Sequence, residues 1–424
     1  MPLKGSYWLE DSALPSGTTE ALPDAVDVLV VGAGYTGLSA ARETSLGGLS
    51  TLVCDRGLVG SGCSGLNGGQ VAYSFKPSLD ELSARHGADL GFRVAEEARH
   101  ALVNLRRLAE SEGLDCDWQP RGSFYGAHSA RHFAQIVRDA ETQPKGLEQR
   151  ITIVPRADLR GEVDSDLYQG GAVFHDDASV QPAKLLNAVY RRAAEAGATI
   201  IGNCAVTAIE RSSGGFRVAT ARGTVRATKV LVATNGYTTS LTPWHRRRVI
   251  PIGSYQIATE SLGAERVRTL IPNLRNVGDT RRVIVYLRPS PDGTRILFGG
   301  RAALYESDAA RCVPRLESML TEVFPSLAGV SATHAWMGFI AYTFDAMPHL
   351  GEHDGLFYCL GYCGQGVPTA TYFGMRIGQQ MAGRPEGRTA LDGLSFSTRP
   401  LYYGNPWFLA PSIFSYRLLD RLGY

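Results

Sequence analysis

The spacing of apolar positions changes several times along the chain, and each change marks an element. Residues 28–31 are an unbroken Val-Leu-Val-Val run, the pattern of a strand covered on both faces. A glycine turn follows. Leu38, Ala41 and the small residues between them predict a helix packed closely on a sheet, and residues 49–54 predict a second buried strand ending at Asp55. Residues 79–113 are charged with helical periodicity. Segments 123–131 and 171–176 predict strands of a more antiparallel region, and 181–197 an amphipathic helix. Strands are expected at 199–209, 215–220 and 229–234, then Val/Ile/Tyr-rich strands from 249 to 345 around a helix near 308–325. A glycine-rich stretch leads into a helix over 361–382, and a Pro/aromatic tail closes the chain. Elements of the two kinds are interleaved, which predicts two domains built from non-contiguous pieces. No internal repeat is evident.

Composition narrows the class. With 424 residues, 44% hydrophobic and 20% charged, the chain can bury the cores of two ordinary domains and is not disordered. A net charge of +2 predicts no strong attraction to nucleic acid. The seven cysteines are scattered without zinc-finger spacing, so buried thiols in a cytoplasmic protein are expected, with no metal site. Residues 1–20 are polar, unlike a secretory signal, and no apolar run is long enough for a transmembrane segment.

Glycine is clustered where chemistry is expected. Gly32, Gly34 and Gly37 form a GxGxxG after the first strand, with Tyr35 and Thr36 between them and Asp55, then Arg56, at the end of the next strand. Such a turn aims backbone N–H groups and a helix N-terminus at a pyrophosphate, and the carboxylate accepts from ribose hydroxyls. Five glycines fall within residues 60–69, a loop that also contains Ser64 and Asn67 and runs on into Gln70; backbone packed against a flat ligand explains it, whereas a plain nicotinamide enzyme has no need of it. A third strand ends in Ala233-Thr234-Asn235-Gly236, and Val206 sits on a strand able to face an adenine. Gly364, Gly366 and Val367 open the late helix.

These elements, in this order, resemble the D-amino-acid-oxidase-like family of FAD enzymes, and most closely its γ-glutamylputrescine oxidase-like branch. The resemblance rests on Tyr7-Trp8 and on the stretches 60–72, 233–238, 246–260, 296–301, 336–351 and 361–374. It implies an α/β fold in which a Rossmann-type FAD-binding domain is interleaved with an α+β substrate domain on a mixed, largely antiparallel sheet. The expected division is a surface arm over 1–24, an FAD-binding domain over 25–80, 150–240 and 345–395, a substrate domain over 81–149 and 241–344, and a tail over 396–424. It assigns Gly32, Gly34, Gly37 and Asp55 to the ADP half, with Tyr35, Thr36, Arg56 and Thr234 around them. Ser64, Asn67, Gly68, Gly69 and Gln70 fall on the path to the flavin, Val206 on the adenine, and Gly364, Gly366 and Val367 on the flavin pyrimidine. Asp55 stands where the family more usually has glutamate. Residues 57–75 contain no histidine and 336–345 no cysteine, so the FAD is expected to be non-covalent.

The family's chemistry is hydride transfer from the carbon beside an amine nitrogen to flavin N5, giving an imine that hydrolyses, with O2 or another acceptor taking the electrons. The alternative on the same fold is an α-hydroxy-acid or amine dehydrogenase feeding a quinone or carrier protein; no lysine like the one sarcosine oxidases use for O2 occurs in 294–301. Such catalysis is mostly positioning. The substrate-positioning candidates are Tyr255, Gln256, Arg301, Trp336 and Tyr342, with Tyr73, Tyr286, Arg288 and Phe344 behind them. Arg288 or Arg301 suits a substrate carboxylate. His334 and His349 read as structural, 245–248 as a solvated turn, and the tail around Trp407 and Phe414 as packing on the protein itself. A small amine is the expected partner, with a homo-oligomer left open.

Overall fold

The structure is a computed structural model that describes residues 3–73 and 75–423. Two eight-stranded sheets organise it. The first runs in the order His349–His353, Leu356–Leu360, Gly223–Val232, Ala25–Val31, Thr51–Cys54, Thr199–Ile201. Its strands pair in parallel from Leu356–Leu360 to Thr199–Ile201, and the hairpin of Val206–Ser212 and Gly215–Thr220 hangs on Gly223–Val232. Strand Ala25–Val31 is apolar throughout its second half because both of its faces are covered. Val28 and Val30 meet Leu38 and Ala41 of helix Tyr35–Leu46, while Leu29 and Val31 meet Phe216 and Val218.

Helix Tyr35–Leu46 lies against helix Gly366–Met381 at glycines. A Cβ on Gly374 would meet the Thr36 carbonyl oxygen at 2.5 Å, and one on Gly378 the Ala40 carbonyl oxygen at 2.6 Å. The register rises together in both helices, so they run parallel and their N-termini point the same way. Close approach of this kind requires residues without side chains.

The second sheet runs Ala332–Tyr342, Ile250–Thr259, Ile296–Gly300, Val285–Pro289, Asn276–Asp279, Ser123–Gly126, Gly170–Phe174, Ile151–Pro155. All its pairings are antiparallel except Asn276–Asp279 with Ser123–Gly126. Helix Ala309–Val323 covers one face with Cys312, Leu316, Leu320 and Val323.

Four expectations change. Residues 150–174 form a hairpin of the second sheet, with Val154 and Val173 in its core, and do not join the first. Helix Ala88–Glu110 packs Val94, Ala101 and Leu105 into the first sheet's core, although it lies in the stretch expected to serve substrate. The N-terminal arm is not a surface strap: Trp8 is fully buried against Trp336 and donates Nε1–H to the Asn67 carbonyl at 2.8 Å. His245 is buried as well, held among Trp244 and Tyr358, so 245–248 is not a solvated turn. The tail does fold back, as helix Leu409–Arg421, whose Asp420 carboxylate accepts the backbone N–H groups of Arg282 and Val283. Among the described residues, no helix is long and apolar enough to cross a membrane, and no cluster of His, Cys, Asp and Glu could hold a metal.

Candidate active site

Three glycine turns and one sheet face enclose a single cavity of about 1360 Å³, larger than the roughly 300–1,000 Å³ of an ordinary ligand pocket. Its lining includes Val206, Asp55 and Arg56, Gly32, Gly34, Thr36 and Ser64, Gly68, Gly69 and Gln70, and the Gly364–Gly366–Val367 turn. Strands of the second sheet supply the rest of the wall.

The first turn is built for close approach. Gly32 has φ +105, and a Cβ there would meet the Ala233 carbonyl oxygen at 2.9 Å; one on Gly34 would meet Ser64 Oγ at 2.7 Å. Gly34 caps helix Tyr35–Leu46 and Gln365 caps helix Gly366–Met381, neither with a side-chain hydrogen bond to the first turn. Tyr35 N–H is taken by Ser64 Oγ at 3.0 Å, and the remaining first-turn N–H groups are available to an anion or a carbonyl. Asp55 braces the turn: its Oδ2 accepts from Ala33 N–H at 2.8 Å and its Oδ1 from Gly57 N–H at 3.0 Å. Each oxygen keeps a further lone pair for a ribose hydroxyl. The second glycine loop is stapled from behind, with Gln256 Nε2 and Trp336 Nε1 donating to the Leu66 carbonyl at 2.7 and 3.0 Å. Arg288 donates to the carbonyls of Gly69 and Val180. These residues fit a flavin dinucleotide along the first half of the cavity.

Of the sequence-chosen glycine-turn residues, Tyr35, Thr36, Asn67 and Thr234 line the cavity and are also tied into the protein, while Gly37 stands apart. Gly37 does not line the cavity; a Cβ there would overlap the Gly32 carbonyl oxygen at 1.9 Å, so it lets the helix close on the turn. The Tyr35 ring is buried, its hydroxyl donating to Pro182 O at 2.9 Å, and Asn67 is consumed in bonds to Cys63, Ser64 and Gly69. Thr36 Oγ1 meets the Tyr362 hydroxyl, and Thr234 Oγ1 meets Thr238.

Alternation along Ile250–Thr259 sorts the substrate candidates. Ile252, Ser254 and Gln256 face the cavity, so Tyr255 faces the other way, bonded to Glu306 and Ser307 N–H. Tyr255 is thereby removed from the substrate wall. Trp336 does not line the cavity either; it braces the loop. Tyr342 and Tyr286 do line it, Tyr286 bonded to Ser254 at 2.9 Å, and burial raises both phenol pKa values. Arg301 reaches the cavity but is paired with Glu306 at 2.8 Å. Arg288 is buried, its pKa pushed down to about 9 by desolvation, and holds the backbone rather than the cavity. Tyr73 lines the cavity, and Phe344 stacks under Arg399. His334 pairs with Glu10 and His349 with Asp345, both structural.

The cavity also holds residues that sequence reasoning did not single out. Lys76 lines the cavity while remaining exposed; the packing around its amino group lowers its pKa, and Cys363 opposes that. Asp177, Ser123, Asn276 and Tyr125 line the sheet end, and Phe408, Leu409, Ile413 and Tyr416 of the tail close one side. The only forward signal was the acidic pair Asp176-Asp177 just past a strand.

A model of the DAO family, described as FAD dependent oxidoreductase, matches residues 27–380. The chain belongs to the DAO family of FAD-dependent oxidoreductases. FAD is its cofactor. This DAO-family chain is 31% identical over 406 residues to the Probable oxidoreductase OrdL of Rhizobium meliloti (strain 1021), covering 93% of this chain and 92% of that one. It is 30% identical over 402 residues to the Gamma-glutamylputrescine oxidoreductase of Escherichia coli (strain K12), covering 94% and 93%. Among solved structures, glycine oxidase from Geobacillus kaustophilus superposes with a TM-score of 0.73 at 20% identity, over 89% of this chain and 99% of that one. That match establishes the shared α/β fold.

Proposed function

We propose that this enzyme oxidises the carbon beside the nitrogen of an amine, with the imine product hydrolysing in water, in the manner its relative's name, Gamma-glutamylputrescine oxidoreductase, suggests. The carrying observation is one continuous cavity that joins the dinucleotide turns to the polar and aromatic sheet face. FAD, when bound, supplies the hydride acceptor. The Gly32–Gly34 turn would hold its pyrophosphate, Val206 and Asp55 its adenosine side and the Gly364–Val367 turn its flavin side, without a covalent link, and the loop 60–70, braced by Trp8, Trp336 and Gln256, would line the path between them. Gln256, Tyr286 and Tyr342 give the substrate a wall that fixes the approach of its α-carbon. Lys76 places a positive charge on the cavity wall beside the Cys363 turn. That charge disfavours the ammonium form of an amine brought next to it, and only the neutral amine has the lone pair that drives hydride departure.

Anaerobic addition of amines, amino acids and hydroxy acids to the flavoprotein tests the reading. Bleaching of the visible flavin band by an amine supports it, and bleaching by hydroxy acids alone overturns it. The electron acceptor is taken to be O2. Admitting air should restore the band and release peroxide; a band that returns only with a quinone or carrier protein would identify a dehydrogenase.

A further inference from the structure

Asp177 stands out among the carboxylates of the cavity. It is 6% exposed and still lines the void. No described cation forms an ion pair with it. The nearest cation acting on it is Arg106, which is engaged by Asp176. Its partners are neutral: Tyr73 N–H at 3.4 Å and the Ser123 hydroxyl. Ser123 is in turn held by Asn276 Nδ2, which also donates to the Ala178 carbonyl at 2.8 Å. This chain fixes the carboxylate without neutralising it. A buried charge left without a counter-charge is costly to the fold, and such groups cluster where a ligand supplies the missing partner.

The surroundings suit a cation on an alkyl chain. Ser123 and Tyr125 lie on one face of their strand, Phe174 pairs directly opposite Ser123, and Tyr73 adjoins the carboxylate. All of these line the cavity. Aromatic rings around a carboxylate bind ammonium groups by charge and by cation–π attraction while covering methylenes. Two other charged groups on the cavity wall, Arg301 and Arg281, are neutralised by Glu306 and Asp279.

We propose that Asp177 receives a second, non-reacting ammonium group of the substrate, so that the enzyme's substrates are amines bearing another cationic nitrogen at the far end of an aliphatic chain. The inference rests on the amine-oxidation reading and specifies its substrate class. One nitrogen reacts neutral near Lys76, and the other is anchored charged at Asp177.

The test uses the purified holoenzyme with a homologous series of α,ω-diamines, their mono-N-acetyl derivatives and n-alkylamines of equal length. Dissociation constants come from perturbation of the oxidised flavin spectrum, and KM and kcat from steady-state turnover with an artificial electron acceptor. The wild type should favour the best diamine over its equal-length monoamine by roughly tenfold or more, about the 1.4 kcal/mol of one charge-assisted contact. Asp177→Asn should shrink that ratio to about twofold or less, through KM, and Asp177→Glu should keep the preference while shifting the favoured chain length. A wild type without diamine preference, or a preference unchanged in Asp177→Asn, overturns the proposal. So does a fall in kcat in Asp177→Asn that is equal for monoamines and diamines, which would put Asp177 at the reacting end. If no amine perturbs or bleaches the flavin, the amine reading itself fails and takes this inference with it; bleaching by monoamines as readily as by diamines sinks the inference alone.

Discussion

Asp177 sets a pH dependence that can be read from its surroundings. Desolvation raises its pKa from 3.8 to about 7. The raised value belongs to the folded state, so ionisation is penalised only in the native protein. The penalty is absent below the unfolded value, grows through the window between the two, and is complete above about pH 7, where it reaches at most about 4 kcal/mol. Asp177→Asn should therefore raise the urea midpoint of the substrate-free enzyme at about pH 8 and change it little at about pH 4. An equal gain at both values would show that the carboxylate's charge is not the cause. Lys76 acts with the opposite sign. A cation on the cavity wall beside the turn expected to face the flavin pyrimidine stabilises negative charge developing there. Lys76→Met should lower the flavin's reduction potential in dye equilibration and slow anaerobic bleaching on the order of tenfold, about 1.4 kcal/mol. Neither residue was legible in the sequence. A lone lysine and one of two adjacent aspartates carry no spacing signal; what singles them out is their place on the cavity wall and, for Asp177, burial without a counter-charge, which only the fold creates. The glycines and Asp55 were legible because each answers a local backbone demand.

Between elements, the parallel contact of helices Tyr35–Leu46 and Gly366–Met381 sets where both N-termini point. Gly374→Ala would put a Cβ 2.5 Å from the Thr36 carbonyl oxygen and 2.8 Å from its Cα. Backbone has to move, at a cost of about 1–3 kcal/mol, and the two turns part. Gly374→Ala should lose flavin on gel filtration and lower the melting temperature, while Gly161→Ala, with nothing near its Cβ, should do neither. Retention of flavin and stability in Gly374→Ala would separate the helix contact from the cofactor turns. The first sheet could be read from sequence because its runs are apolar on both faces. The second could not be read as fully. Ile151–Pro155 is only partly buried along most of its length, so its pattern gave a strand no preference between sheets. Alternation along Ile250–Thr259 was equally visible, but not which face met the cavity: Tyr255 was chosen together with Gln256, and of the two only Gln256 faces it, beside Ser254. Helix Ala130–Glu141 went unseen because a single residue of it, Ile136, is buried.

For the whole molecule, closure depends on the last helix. Phe408, Leu409, Ile413 and Tyr416 wall the cavity, and the helix is held to the second sheet's loops by Asp420 at the N–H groups of Arg282 and Val283. Arg417 adds bonds to the carbonyls of Arg301 and Ala302. None of these contacts touches the dinucleotide turns. Removing residues 405–424 should therefore leave FAD bound but open the substrate half to water, weakening every electrostatic contact inside it. KM for the best amine should rise on the order of tenfold or more, about 1.4 kcal/mol, and iodide should quench the bound flavin more strongly than in the full chain. Asp420→Ala, which removes only the clamp, should show the same changes in smaller measure, since charge-assisted bonds to backbone N–H groups contribute about 1.5–3 kcal/mol. Full retention of KM and quenching in the shortened protein would mean that the sheet and loop 60–70 alone exclude water, and that the helix serves only its exposed face, where Trp407 and Phe414 are 64% and 66% open to solvent.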